Sequence, residues 1–193
     1  MFQVRIHGRG GQGAVTAAEI LSVAAFLDGH HAQAFPSFGS ERMGAPVVAF
    51  CRIDQRPIRS HDPVVAADGI VVQDATLLHE VDLFAGLQPD GFVLINSARS
   101  AEDLGVADLA VGMPPGHLLT LPATSLALER TGRAVANTAL LGGLAALSGV
   151  VSLASITEAI RRRFPGEAGR ANAALAGDAA GYVDTLKEEL SRA

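Results

Sequence analysis

The residues best suited to chemistry form a glycine-rich turn near the N-terminus. Gly8-Arg9-Gly10-Gly11-Gln12-Gly13 has the spacing G-x-G-x-x-G. Glycines permit a tight turn and let the backbone approach a ligand closely. The free N–H groups at the start of a helix that follows such a turn favour an anion. The spacing alone is equally compatible with an anion or nucleotide site and with a purely structural strand-to-helix connection.

An ordinary dinucleotide site requires an acidic residue that the sequence does not supply. That residue stands at the end of the second strand and holds the ribose hydroxyls. Here the segment reads His31-Ala-Gln-Ala-Phe35 and then Pro36-Ser37-Phe38, while Asp28 falls at the end of the preceding helix. NAD binding is therefore disfavoured. Arg9 and Gln12 are long polar side chains that a bare dinucleotide turn does not need, and they suggest contacts to a ligand or to a neighbouring chain.

A second unusual segment runs from Pro36 to Pro46. It contains Ser37, the aromatic Phe38, and the adjacent charges Glu41 and Arg42. One interpretation is a surface loop in which the two charges contribute little energy. The other is a functional loop, as long loops in compact domains usually are, that lies beside the glycine turn and completes a site with it.

Hydrophobic periodicity places these segments in an α/β domain. Phe2, Val4 and Ile6 alternate with polar residues, which predicts a strand. The stretch from Ala14 to Asp28 is apolar nearly all round, which predicts a buried helix that Gly29 ends. Further strands are predicted at 32–35, 47–53, 70–73 and 92–95, with weaker candidates at 109–111 and 118–121.

The C-terminal third has helical spacing instead. Helices are predicted at 136–147 (interrupted by Gly142-Gly143), at 153–164 with Ser152 or Ser155 as a cap, and along the stripe from Leu175 to Leu190. The basic run 161–163 is interpreted as the solvated end of a helix. We predict one domain over residues 1–193, a three-layer α/β/α, Rossmann-like fold with a helical C-terminal tail.

Composition narrows the class of protein. The 193 residues carry a net charge of -5, which does not fit a nucleic-acid-binding surface. No apolar run reaches the roughly 20 residues that span a bilayer, and no signal peptide is evident. We therefore expect a cytoplasmic protein with no membrane contact. The hydrophobic fraction of 49% suggests surplus apolar surface for a partner subunit.

The content of metal-binding residues is low. Cys51 is the one cysteine, so this chain alone can hold neither a disulfide nor a cysteine-ligated iron–sulfur cluster. We expect Cys51 to be a buried core residue. The six histidines show no metal-ligand spacing, and no residue is proposed as a catalytic acid, base or nucleophile.

Several segments resemble one family. His7-Gly-Arg-Gly-Gly-Gln-Gly13-Ala-Val-Thr16 is similar to the opening of gamma subunits of pyruvate:ferredoxin and 2-ketoisovalerate:ferredoxin oxidoreductases. The second loop, from Ala32 to Gly39 with Glu41-Arg42 and Gly44-Ala-Pro46, resembles the second signature of that family. The resemblance continues in order through Val72–Leu78, Asn96, Asn137–Gly142, Ile160–Phe164, Asn172 and Tyr182. Ser40 and Met43 depart from it, where many relatives have Pro or Val, and Arg.

The resemblance implies a function within a larger enzyme. That enzyme oxidatively decarboxylates a 2-oxoacid such as pyruvate with thiamine diphosphate, passes electrons through 4Fe-4S clusters to ferredoxin, and releases an acyl-coenzyme A such as acetyl-CoA. Its cofactors sit mainly on the partner alpha-, beta- and delta-type subunits, and the gamma chain binds none alone. The resemblance therefore points to an edge of the coenzyme A site, formed here by Arg9 to Gly13 and Ser37 to Arg42.

Two other functions stay open at this point. A purely structural assembly subunit would need the two loops only for contacts with partner chains. A free-standing NAD(P)-binding Rossmann protein would bind a dinucleotide by itself. The absence of an acidic residue to bind the ribose hydroxyls argues against this function.

Overall fold

A six-stranded mixed sheet forms the centre of the molecule. The computed structural model describes residues 1–37 and 43–192. Its strands are β1 (Phe2–Arg9), β2 (His31–Pro36), β3 (Pro46–Asp54), β4 (Ala67–Val72), β5 (Leu87–Asn96) and β6 (Leu118–Leu121). Its helices are α1 (Ala14–Leu27), α2 (Ala107–Ala110), α3 (Ala123–Thr131), α4 (Asn137–Ser148), α5 (Leu153–Arg163) and α6 (Gly166–Arg192), with a 3-10 helix at Ala75–His79.

The strand order β2-β3-β1-β4-β5-β6 places a topological switch between β1 and β4. Strands β4, β5 and β6 run parallel to β1, whereas β3 is antiparallel to both β1 and β2. After β1 the chain adds β2 and β3 on one edge of β1, and it then adds β4, β5 and β6 on the opposite edge. Crevices at such a switch, at the carboxyl ends of the strands, are where open α/β sheets bind ligands.

Successive residues of each strand point to opposite faces of the sheet, and each face is covered by its own apolar core. Val4, Ile6 and Val71 pack on the face covered by α1, α4, α5 and α6. Ile70 and Val72 face the other way, into a smaller core closed by the 3-10 helix and the segment around α2. The predicted α/β fold is confirmed, with short helical turns forming most of the second covering layer. The predicted C-terminal tail is α6, which contributes buried residues to the larger core.

Most of the predicted strands and helices are found, but one weak strand candidate is wrong and helix α3 was not predicted. The weak strand candidate at 109–111 is wrong, because Ala107–Ala110 form the short helix α2 and Val111 is 87% exposed. An apolar run this short cannot distinguish strand from helix by its periodicity. Helix α3 was not predicted, although Pro122 before it and Gly132 after it are ordinary helix boundary signals.

The glycines of α4 do not interrupt the helix, contrary to the prediction. Helix α4 runs unbroken through Gly142 and Gly143. A Cβ at Gly142 would lie 2.0 Å from the carbonyl oxygen of Ala176 in α6. The missing side chain therefore lets the α6 backbone approach α4 closely, and the contact fixes the long C-terminal helix onto the sheet.

The outer face of α1 stays apolar and exposed. Val23 is 40% and Phe26 is 71% exposed, one helical turn apart. No helix among the described residues is long and apolar enough to cross a membrane.

Replacing Gly142 by Ala should destabilise the fold. The added methyl group forces α4 and α6 apart, and we expect a loss of about 1–3 kcal/mol in the free energy of unfolding, measured by urea denaturation. Gly177→Ala is the matched control, because a Cβ there meets nothing within 4 Å. That control should stabilise the chain by about 0.5–1 kcal/mol, as expected for Gly to Ala in an open helix position. Equal effects of the two changes would contradict the close-approach explanation.

Candidate functional site

The glycine turn closes on itself through the side chain of Gln12. Its Oε1 accepts a 2.8 Å hydrogen bond from the Arg9 N–H, and its Nε2 donates to Asp74 at 2.8 Å. Gly11 (φ 93°) and Gly13 (φ 78°) adopt left-handed backbone conformations that favour glycine. Gly13 is the N-cap of α1 and has no side chain to cap it, and no side chain among the described residues hydrogen-bonds to the first turn of that helix. The N–H groups at the start of α1 are therefore available to an anion.

The Arg9 side chain is engaged within the protein. Its guanidinium pairs with Glu80 and with Asp74 (3.3 Å), and it donates to Thr76 Oγ1 and to the Gly44 carbonyl at 3.1 Å. The hydrogen bond from Arg9 to Glu80 raises the pKa of Arg9 further. Arg9 thus joins the turn to the 3-10 helix and to the returning end of the second loop.

The returning end of the second loop lies directly against the glycine turn. The Gly10 N–H donates to the Ala45 carbonyl at 2.9 Å, and the Gly44 N–H donates to the Gly10 carbonyl at 3.1 Å. The Met43 side chain is 87% exposed beside Gly11. Here the two predicted loops do meet.

The leading end of the loop stands farther away. The Ser37 N–H donates to Val48 of β3, so β3 separates Ser37 from β1. Phe38, Glu41 and Arg42, which the sequence placed in the site, lie outside the described residues.

A cleft of about 500 Å³ opens at the N-terminus of α1. This volume is within the usual range for small-molecule sites, about 300–1,000 Å³. Its wall combines Gly11, Gln12, Gly13 and Thr16 with residues from the ends of α3 and α5 and the beginnings of α4 and α6. We call it the outer cleft.

The outer cleft carries an excess of positive charge. Arg130, Arg133 and Arg163 line it, and Glu167 is the carboxylate among its lining residues. Arg130 pairs with Asp178 at 2.6 Å, whereas Arg133 and Arg163 make no ion pair within the described parts of the chain. Two arginines without an ion pair among the described residues therefore stand beside the start of α1, and the Arg163 guanidinium lies over the Phe164 ring, 5.3 Å from its centroid. This arrangement makes the cleft suited to phosphate or carboxylate groups.

A smaller pocket of about 90 Å³ adjoins the outer cleft and shares part of its wall. We call it the inner pocket. It lies at the switch between β1 and β4, where the Gln73 N–H donates to the His7 carbonyl at 2.8 Å. The amide side chains of Gln12, Gln73, Asn96 and Asn137 line it, together with Thr124. The polar ends of β4 and β5 thus meet at one edge of the sheet.

The remaining candidate groups for chemistry are buried and inert. Burial and the neighbouring Arg5 lower the pKa of His7 to about 4, so His7 is neutral at pH 7. Cys51 is a fully buried core residue, as predicted, and burial raises the pKa of its thiol. No group of three or more His, Cys, Asp or Glu side chains in the described ranges could hold a metal ion.

Asp28 has a structural role. Its carboxylate accepts hydrogen bonds from the Ser152 N–H at 2.6 Å, from Ser152 Oγ at 2.8 Å and from Ser155 Oγ at 2.6 Å. It therefore anchors the first turn of α5, where Ser152 is the N-cap, and strand β2 ends without an acid. This arrangement offers no ribose-binding carboxylate at the position where a dinucleotide site has one.

Sequence reasoning did not identify the arginines of the outer cleft. Arg163 belongs to the basic run that was interpreted as a solvated helix end, and Arg133 follows the unpredicted helix α3. The sequence did contain one sign that this region belongs to the site, namely the polar residue Asn137 at the start of the otherwise apolar helix α4. In the structure, Asn137 Nδ2 lies 3.4 Å from the Gly13 carbonyl oxygen.

Comparison with known proteins decides the family. A family model described as pyruvate ferredoxin/flavodoxin oxidoreductase matches residues 3–182. The chain is 49% identical over 179 residues to the pyruvate/ketoisovalerate oxidoreductases common subunit gamma of Pyrococcus furiosus, covering 93% of this chain and 95% of that one. The chain belongs to this gamma-subunit family. The resemblance seen in the sequence is confirmed, and the gamma-type chain is a subunit of a multi-subunit 2-oxoacid:ferredoxin oxidoreductase.

Solved structures agree with this assignment. Pyruvate oxidoreductase subunit PORC of Thermotoga maritima superposes with a TM-score of 0.77 at 33% identity, covering 93% of this chain and 95% of that one. The 2-oxoglutarate:ferredoxin oxidoreductase of Magnetococcus marinus, solved with 2-oxoglutarate, coenzyme A and succinyl-CoA, has a TM-score of 0.73 at 17% identity. That likeness covers 96% of this chain and 31% of the longer one, and it shows a shared fold.

Asp74 should make the gamma-type chain sensitive to acid. Burial disfavours its charge, but hydrogen bonds from Thr76 and Gln12 and the charge of Arg9 hold the pKa of Asp74 below its ordinary value. Its contribution is present above the unfolded pKa of about 3.9 and is lost as pH falls through the lower folded value. Asp74→Asn should cost about 1 kcal/mol at pH 7 and progressively less below pH ~4.

Urea unfolding at a series of pH values measures this difference. Asp178→Asn, which removes the exposed pair with Arg130, is the control and should change stability little. A cost for Asp74→Asn that stays constant down to pH ~2 would contradict the linkage.

Proposed function

We propose that this chain forms the phosphate-binding edge of the coenzyme A site in a thiamine-diphosphate-dependent 2-oxoacid:ferredoxin oxidoreductase, with pyruvate as the 2-oxoacid. The observation that carries the proposal is the outer cleft. There the uncapped start of α1 at Gly13 faces Arg133 and Arg163, which have no ion-pair partner in the described ranges.

The chemistry of the cleft fits the nucleotide end of coenzyme A. Phosphate groups are multiply charged anions, which helix N-termini and arginine forks bind well. Coenzyme A is longer than a cleft of about 500 Å³ can enclose, so the rest of the molecule extends towards partner subunits. The M. marinus structure, which shares this fold over 31% of its own length, was solved with coenzyme A bound.

The residues of this chain bind and orient and do not transfer protons. The cleft presents arginines, amides, backbone N–H groups and the carboxylate of Glu167, and the buried, neutral His7 does not line it. Thiamine diphosphate held by other subunits supplies the decarboxylation chemistry, and 4Fe-4S clusters there carry the electrons to ferredoxin. Cys51 has no part in that electron path, because its thiol is buried in the core.

Partner subunits complete the site and cover apolar surface. We assign alpha-, beta- and delta-type chains as the partners. The exposed Val23 and Phe26 on α1 support a contact there, since neighbouring apolar side chains on an outer helix face are favoured at interfaces. We keep Ser37 to Arg42 as part of the proposed edge, because Gly44 and Ala45, which follow this segment in the chain, are hydrogen-bonded to Gly10.

Removing the cleft arginines should weaken coenzyme A binding. Arg133→Ala and Arg163→Ala in the assembled complex should each raise the KM for coenzyme A about tenfold, the effect of losing about 1.4 kcal/mol of charge-assisted binding. The turnover number at saturating coenzyme A should change little, because these groups touch no reacting atom. Steady-state kinetics with pyruvate and ferredoxin measures both quantities.

Arg162→Ala is the matched control. Arg162 is adjacent in sequence but pairs with Glu158 at 2.9 Å and does not line the cleft. The proposal fails if the KM for coenzyme A is unchanged in both cleft variants. A purely structural role would instead show as loss of partner subunits on purification, with normal kinetics in whatever complex remains.

A further inference from the structure

Strand β2 has an open outer edge. It stands at one end of the strand order and pairs with β3 alone. The Ser37 N–H donates to the Val48 carbonyl at 2.9 Å, which fixes the phase of the antiparallel ladder, so the odd-numbered residues of β2 exchange hydrogen bonds with β3. The backbone groups of Ala32, Ala34 and Pro36 therefore point away from β3.

These outward groups form a ladder without a partner. Ala32 and Ala34 each present an N–H and a carbonyl, and neither N–H donates to any described atom of the chain. Both residues are half-buried, so their backbone remains accessible. Pro36 adds a carbonyl and has no N–H, which suits a position whose nitrogen faces the open edge. Groups spaced two residues apart are what an added strand bonds to.

Strand β2 also lacks most features that keep a free edge from pairing. It carries no Lys, Arg, Asp or Glu side chain, and its register with β3 is regular over all six residues, without a bulge. Its proline stands at the last position and leaves the N–H groups of Ala32 and Ala34 in place. A flat, uncharged edge of this kind is a template for another strand.

The surroundings of the edge favour a partner subunit as its occupant. The chain belongs to a multi-subunit complex, so other chains contact it. Helix α1 packs on β2 and β3, and the exposed Phe26 lies in the last turn of α1, after which the chain enters β2 at His31. The open edge thus continues the apolar side of α1. A second copy would bring a like net charge of -5 to an edge that supplies no cation.

We infer that a partner subunit of the oxidoreductase adds an extended, uncharged segment to the outer edge of β2, as a seventh strand of the sheet. Main-chain hydrogen bonds to Ala32 and Ala34 hold the segment, and its side chains on one face of the sheet lie beside α1. The segment carries no charge because the side chains of β2 offer no opposite charge to pair with it. The inference does not depend on the coenzyme A site.

Amide hydrogen exchange at single-residue resolution tests the added strand directly. The full-length chain alone is compared with the assembled complex. The Ala32 and Ala34 amides should exchange fast in the chain alone and at least tenfold more slowly in the complex, because the new strand accepts their hydrogen bonds. Gln33 and Phe35 are internal controls whose N–H groups are bonded to β3, so they should exchange slowly in both states. Unchanged exchange at Ala32 and Ala34 overturns the inference.

A proline substitution separates strand addition from simple coverage by a partner. Ala34→Pro removes one outward N–H and no hydrogen bond to β3, and we expect it to weaken binding of the chain to its partner subunits about tenfold, measured by titrating tagged chain into the remaining subunits. Ala34→Ser is the matched control, because it keeps the N–H and a small side chain, and it should assemble normally. If Ala34→Pro lowers the melting temperature of the chain, Ala32→Pro removes the neighbouring outward N–H and should weaken assembly in the same way.

The remaining outcomes are distinguishable. Normal assembly of both proline variants overturns the inference, even if the edge is covered. A dimer of the chain alone that Ala34→Pro dissociates also overturns it and assigns the edge to a second copy. The KM for coenzyme A should be unchanged in the complex that Ala34→Pro still forms, because Ala34 does not line the outer cleft. Failure of the strand inference therefore leaves the phosphate site to be decided by Arg133→Ala.

Discussion

The site depends on the close approach of two helix N-termini at Gly13 and Asn137. A Cβ at position 13 would lie 2.7 Å from Asn137 Nδ2, and the φ of 78° at Gly13 is one that other residues rarely adopt. Without a side chain at Gly13, α1 and α4 begin side by side at the switch between β1 and β4. The outer cleft and the inner pocket are the two spaces that this arrangement leaves.

Local patterns predicted the parts of the fold that local forces determine. The alternation in β1, the all-apolar α1 and the stop at Gly29 each involve one segment, and each was found. The glycines of α4 were misinterpreted because their reason is a contact with Ala176, more than thirty positions away. Propensity penalises a glycine inside a helix, but it carries no information about the backbone that the glycine admits.

In the candidate site, too, features determined within one segment were predictable from the sequence, and features that depend on long-range packing were not. The glycine turn and the polar ends of β4 and β5 follow from strand boundaries, which periodicity reveals. Arg133 and Arg163 reach the cleft from the ends of α3 and α5, so only the packing of those helices brings them to Gly13. Arg9, adjacent to the turn in sequence, is held by Glu80 and Asp74. An arginine that is close to the glycine turn in sequence is thus paired with carboxylates, whereas the arginines that line the cleft are distant from the turn in sequence.

Asp28, at the end of α1, has a purely structural use in this fold. Its three hydrogen bonds to Ser152 and Ser155 tie the end of α1 to the start of α5. The acid nearest along the chain to the position of a ribose carboxylate thus joins two helices, while β2 itself ends without an acid. Engineering this scaffold into a dehydrogenase would therefore require a new carboxylate at the end of β2, because Asp28 could turn towards a nicotinamide cofactor only by giving up the contact between α1 and α5.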